Sequence, residues 1–304
     1  MKAISKYALI LALFCPFLAS AITFRTVDIS KEDYENVTKL NLNDTDLSKQ
    51  QLNLDRFPNL ETLSLRNTNL QSIKKSDLKQ MQNIKVLDLS DNPLIQLASI
   101  LRNYPANNNL QELKLENCAL LFIPMEIQNL RSITSLDLSG NRIVYLPEQV
   151  KFLNQLKKVD LQDNQLAALP FGMMSWQRLE VLNLAGNEGL SPESVVKMLK
   201  FIPELTSIDM SRMVWIPKNV NELKAKEMRF NQMKTNRIPE SLVENTSLKR
   251  LVICGSKHLD KEQEVMLSRL SNINQLSLES NQLTDVKWLS TLKALKVLNL
   301  SSNS

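Results

Sequence analysis

Few residues in this 304-residue chain are suited to chemistry. Its single histidine, His258, follows Cys254 by four residues in "CGSKH", a spacing that suggests a thiol–imidazole pair. The local pattern opposes that reading, because Cys254 is expected on the outward side of a strand and His258 in the following turn, pointing apart. Carboxylates are more numerous. Asp88, Asp137, Asp160, Asp209 and Glu227 recur at one place in similar short segments. Two of them on neighbouring strands would supply the residue types of a paired-carboxylate hydrolase. An open sheet encloses no pocket, however, and the aspartate returns wherever the surrounding pattern returns. No HExxH, CxxC, GxGxxG or phosphate-loop spacing occurs. The expectation is a protein without catalysis, metal or cofactor.

What positions these residues is a repeat. "ITSLDLSGNRIVYLPEQV" places apolar side chains at Ile133, Leu136, Leu138 and Ile143, with Asn141 before the last. Similar segments start at Val37, Leu60, Ile84, Leu110, Leu156, Leu179, Leu205, Leu223, Leu248, Ile273 and Leu295. The period is roughly 23 residues, within the range of solenoid repeats. Alternation sends positions 4 and 6 of each copy inward and positions 3, 5 and 7 outward. Thus Leu136 and Leu138 face a core, while Ser135, Asp137 and Ser139 face solvent. Asn141 falls at a bend, where its amide can pair backbone groups that the turn leaves unsatisfied. The corresponding residues are Thr45, Thr68, Asn92, Cys118, Asn164, Asn187, Met213, Asn231, Ser256, Asn281 and Asn303. Met213 offers no strong donor, so the eighth copy is expected to be irregular. The step from Leu205 to Leu223 is also short, and it puts Lys226 at an apolar position.

The returning segments differ. "IPMEIQNLRS" and "LPEQVKFLNQ" predict irregular or 3₁₀ structure. "SPESVVKMLKF" predicts a helix with Ser191 as N-cap and Pro192 at the first helical position. "DKEQEVMLSRL" predicts another, with Asp260 and Gln263 in a capping-box arrangement.

These copies resemble the leucine-rich repeat family over residues 37–304, as mixed 22–26-residue repeats of the bacterial exported type. "LTDVKWLSTLKAL" resembles the internalin-like repeat. The resemblance implies an α/β solenoid: a curved horseshoe with a parallel concave β-sheet and short helices, 3₁₀ turns or coil on the convex side. In that family the residues corresponding to Asn141 stack as a ladder, which would here include Asn92, Cys118, Asn164, Asn187, Asn231, Asn281 and Asn303. A lone copy cannot bury its leucines; stacked copies can.

Residues 1–21 read as a cleaved signal peptide: Lys2 and Lys6, an apolar run from Tyr7 to about Leu18, then "ASA". Residues 22–36 are expected to cap the first copy through Phe24, Val27, Ile29 and Tyr34. The twelfth copy is read as partial and uncapped, with truncation or fraying favoured over a dedicated docking edge. Loss of Lys2 and Lys6 lowers the net charge from +5 to +3. So small a balance, spread over the chain, does not argue for nucleic acid. Cys118 and Cys254 lie six copies apart, too far to form a disulfide when neighbouring strands are about 4.8 Å apart. Export with so little cysteine suggests a bacterial periplasmic, cell-surface or secreted protein without stable membrane insertion after cleavage.

The outward residues are the candidate site. Copies three to six carry Asp88, Asp91, Lys114, Glu116, Asp137, Asp160 and Asp163, mainly acidic; copies eight to ten carry Arg212, Arg229, Phe230, Lys249 and Arg250, mainly basic. Opposed patches orient and speed the encounter with a partner, and an exposed phenylalanine beside arginines matches the chemistry of interface hot spots. Trp176, Trp215 and Trp288 read as packing residues in turns and returning segments. The family resemblance implies a protein or peptide ligand on the concave face, with Asp209 and Glu227 included. Two alternatives are a surface adhesin binding a host protein and the sensing part of a longer receptor or enzyme.

Overall fold

Each copy becomes a three-residue strand, a left-handed turn and a returning segment. The computed structural model describes residues 34–48, 52, 54–94, 96–235, 237–255 and 259–303. The expected signal segment, Phe24, Val27, Ile29, Ser256 and His258 lie outside the described residues.

The chain forms two compact units, 1–120 with 124–137 and 121–123 with 138–304. In the first, strands β1 (Lys39–Asn41), β2 (Thr62–Ser64), β3 (Val86–Asp88), β4 (Glu112–Lys114) and β5 (Ser135–Asp137) pair in parallel and in chain order. In the second, the same order holds for β6 (Lys158–Asp160), β7 (Val181–Asn183), β8 (Ser207–Asp209), β9 (Glu227–Arg229), β10 (Arg250–Val252), β11 (Gln275–Ser277) and β12 (Val297–Asn299). Parallel neighbours require a crossover, and every returning segment supplies one. The central residue of β1 through β11 is buried. Tyr34, within the expected cap, sets its ring edge-on to Phe57, 5.4 Å between centroids.

The returning segments take the predicted forms. Pro124 and Pro147 precede 3₁₀ turns at Met125–Asn129 and Glu148–Phe152. Proline cannot donate a backbone hydrogen bond, which suits it to such a start. Ser191 Oγ accepts the N–H of Ser194 ahead of helix Pro192–Leu199. Asp260 accepts the N–H of Gln263 ahead of helix Lys261–Ser268. The reciprocal half of that capping box is not formed, since Gln263 Oε1 instead accepts the N–H of Ile238.

The eighth residue of all twelve copies is left-handed: Asp44, Asn67, Asp91, Asn117, Gly140, Asp163, Gly186, Arg212, Gln232, Gly255, Ser280 and Ser302, with φ between 52° and 75°. Asp, Asn and Gly tolerate this conformation best. Gln232 belongs to the series only if the ninth copy starts at Ala225, not at Leu223. Strand pairing agrees, because Met228 aligns with Ile208 and Leu251. The start expected from leucine spacing, Leu223, is two residues too early. Lys226 therefore takes an exposed second position instead of an apolar one.

An asparagine ladder runs through both units. Asn187 Nδ2 donates to Leu161 O at 2.8 Å and Leu184 O at 2.9 Å, and its Oδ1 accepts the N–H of Leu166 at 3.1 Å. Asn92, Asn164 and Asn303 bridge neighbouring copies in the same way. Asn281 donates to Ile253 O, and Asn141 to Leu138 O. Cys118 substitutes by donating Sγ–H to Leu89 O at 3.3 Å. Asn231 is not a rung. The corrected frame puts buried Met233 there beside buried Met213, so the ladder is apolar across copies eight and nine.

Candidate functional site

The fifth position of a copy ends its strand, and a short acidic or amide side chain there can bend back to the backbone. Asp88 Oδ1 accepts the N–H of Ser90 at 3.0 Å, Asp160 that of Gln162 at 2.9 Å, and Asp209 that of Ser211 at 2.9 Å. Asn41, Asn183 and Asn299 make the same turn. These aspartates are thus part of the scaffold, with one oxygen committed to the turn that follows the strand. Glu227 is not one of them: it lies at the third position, opposite Ser207 and Arg250.

On the open strand face of the first unit, the expected acidic patch is interrupted by cations. Register sets Lys114 between Asp88 and Asp137. Burial alone would lower the Lys114 pKa. The bond to Glu112, at 3.1 Å, and the nearby charges of Asp88 and Asp137 reverse this and raise it. Arg66, which the sequence reading did not single out, spans Asp91 at 2.5 Å and Glu116 at 2.7 Å. The two acids belong to successive copies, so one guanidinium ties three copies together. Only the stacked register brings them within reach.

In the second unit, Asp163 and Arg212 meet at 2.5 Å although the seventh copy lies between them. The intervening residue is Gly186, at φ +75°; a Cβ there would fall 2.2 Å from Asp163 Oδ1 and 2.9 Å from Arg212 Nη2. Burial works to raise the Asp163 pKa, but bonds from Gln162 and Arg212 overcome it and hold the carboxyl below its ordinary value. Two copies on, Glu227 accepts from Arg229 at 2.6 Å and lies 3.6 Å from Arg250. Lys226 and Lys249 lie exposed at the entry to the same strands, without an ion pair among the described residues. Asp209 aligns with Arg229 across β8 and β9. Four cations accordingly share this part of the face with two carboxylates.

Phe230 is not on that face. In the corrected frame it occupies the sixth, inward position and is 0% exposed. Trp176 is buried and donates Nε1–H to Val150 O at 2.9 Å, while Trp215 is partly exposed and donates to Glu193 at 2.7 Å. Among the described residues, Cys118 and Cys254 form no disulfide. Burial pushes the Cys118 thiol up to about 12, which suppresses its thiolate. Cys254 faces Ser277 Oγ at 3.4 Å. Among the described residues, no three His, Cys, Asp or Glu side chains gather as a metal site, and no helix is long and apolar enough to cross a membrane.

Solved structures share this architecture. An internalin (inlF) from Listeria monocytogenes has a TM-score of 0.64 and 20% identity, over 92% of each chain. A leucine-rich repeat protein of Leptospira interrogans has a TM-score of 0.55 and 24% identity, over 91% of this chain and 81% of its own. The Toll–Spätzle complex of Drosophila gives 0.67 and 21%, over 91% of this chain and 38% of that one. At these identities the likeness concerns the fold. No curated protein matches the chain in sequence. A family model, described as a leucine-rich repeat region, matches residues 67–304. By that match and by its repeating strand, turn and ladder, the chain belongs to the leucine-rich repeat family.

Proposed function

We propose that this protein is an exported interaction protein that binds a protein or peptide through the open strand face of its second unit. Leucine-rich repeats are protein-interaction scaffolds, typically without catalysis, and function resides in the residues that the scaffold leaves free. The observation that carries the reading is a division of labour. Asp88, Asp160 and Asp209 serve the turns, whereas the side chains of Lys226, Arg229, Lys249 and Arg250 make no bond to the backbone and cluster along and just before the adjacent strands β9 and β10. Excess positive charge on such a face favours a partner whose docking segment is acidic. Export is supported by Lys2, Lys6, the apolar run and "ASA" before residue 22.

Affinity capture tests this reading. The protein and its Arg229→Glu/Arg250→Glu variant are compared on envelope, culture and host-cell extracts, with retained folding checked by circular dichroism. A protein held by the first and lost by the second is the expected result. Equal retention by both contradicts the assignment of the face.

A further inference from the structure

The returning side of the second unit is uneven because its copies differ in length. Twenty residues separate Leu205 from Ala225, but twenty-five separate Leu248 from Ile273. The eighth copy returns through a single 3₁₀ turn, Val220–Glu222, while the tenth returns through the helix Lys261–Ser268. Residues of copies eight to ten line a cavity of about 610 Å³, within the roughly 300–1,000 Å³ typical of small-molecule sites.

Its lining has an apolar part and a donor-rich part. Ile216 and Ile238 are buried beneath it, and Trp215 and Met266 flank them. Trp215 is 37% exposed. Its Nε1–H is already given to Glu193 at 2.7 Å, so what it offers is the apolar ring. Lys218 and Arg237 are exposed at the same cavity, and neither has an ion pair among the described residues. Gln263 also lines it and is only 5% exposed. Its Oε1 accepts from Ile238, while its Nε2 donors have no partner among the described residues. That amide keeps contact with solvent at the cavity, so it is open to an acceptor that a ligand supplies. Of the two carboxylates present, Asp260 is occupied in capping the helix, its Oδ1 2.9 Å from the N–H of Gln263. That leaves Glu262 against two cations and an unused amide donor.

We propose that this cavity binds a carboxylate carried on a compact apolar or aromatic body. The body packs on Trp215, Ile216, Ile238 and Met266. The carboxylate is held by Arg237, Lys218 and the Gln263 amide. Such a group could be a free aromatic acid or the C-terminal residue of a peptide, and the site uses none of the strand-face residues of the preceding section.

The test follows the indole N–H signals of the ¹⁵N-labelled full chain, with Trp215 assigned through Trp215→Phe. N-acetyl-phenylalanine, its uncharged amide, and a hexapeptide ending in phenylalanine are titrated in turn. The acid is expected to shift the Trp215 signal saturably. The amide, and the acid with Arg237→Ala, should each bind about tenfold more weakly or worse, equivalent to about 1.4 kcal/mol. Arg237 is exposed and unpaired, so the variant is expected to keep its thermal midpoint. A hexapeptide that binds more tightly than the acid identifies a peptide C-terminus as the source; equal or weaker binding identifies a free acid. Equal binding of acid and amide, no response to either, or an undiminished affinity in folded Arg237→Ala would overturn the proposal.

Discussion

Asp163 and Arg212 form an ion pair at 2.5 Å across a copy of the repeat that contributes no side chain between them. Gly186 provides that opening, and its φ of +75° is itself the left-handed turn conformation. Gly186→Ala should cost about 1–3 kcal/mol, combining left-handed strain with displacement of the pair. Arg212→Ala removes only the pair, which is part-exposed, and should cost less than about 1 kcal/mol. Urea denaturation of both variants checks this order; a Gly186→Ala variant as stable as the parent would contradict it.

The same pair makes a pH prediction. The Asp163 pKa is lowered in the folded protein, with Arg212 among its causes. The pair's contribution is therefore present above the unfolded aspartate value of about 3.9 and is lost as pH falls through the lower folded value. Arg212→Ala should move the Asp163 midpoint upward in a carboxyl NMR titration. An unchanged midpoint would show that the guanidinium does not hold the carboxylate.

At the fifth position, what matters is an acceptor, not a charge. Asp160→Asn should remain within about 0.5 kcal/mol of the parent, while Asp160→Ala loses the turn bond to Gln162 and about 0.5–1.5 kcal/mol. Equal losses in the two variants would remove the turn role and restore the carboxylate as a surface feature.

Asn187 satisfies two carbonyls and one N–H from a fully buried position. Asn187→Ala orphans the buried N–H of Leu166, whereas Leu161 O keeps Asn164 Nδ2 at 3.1 Å and Leu184 O keeps the N–H of residue 187 at 3.4 Å; it should cost about 1–3 kcal/mol. Thermal unfolding checks this; a shift comparable to that of an exposed substitution would mean that water replaces the amide.

The repeat was legible because leucines and asparagines at fixed intervals determine strand, bend and ladder together. It failed at one place for a physical reason. Leu223 imitates a first position two residues ahead of Ala225, and an alanine there carries almost no signal. That slip put Lys226 inside, Phe230 outside and Asn231 on the ladder. The left-handed eighth position would have corrected it only where Gly, Asn or Asp marks it, and here Gln232 does not. The turn bonds of Asp88, Asp160 and Asp209 were hidden because their partners are backbone N–H groups that carry no sequence identity. Arg66 joins Asp91 to Glu116 only through stacking, and the cavity beside Trp215 arises from unequal copy lengths, a property of neighbours and not of any motif.

Site-specific photo-crosslinking shows directly whether the strand face of the second unit makes the partner contact. A photoreactive phenylalanine is placed at Gln275, on that face in β11, or at Phe171, which is 74% exposed on the returning side. Both proteins are irradiated in the extracts used for capture. Adducts are expected from position 275 that disappear with Arg229→Glu/Arg250→Glu, and none from position 171. Adducts from position 171 alone would place the partner on the other side of the solenoid and contradict the strand-face contact.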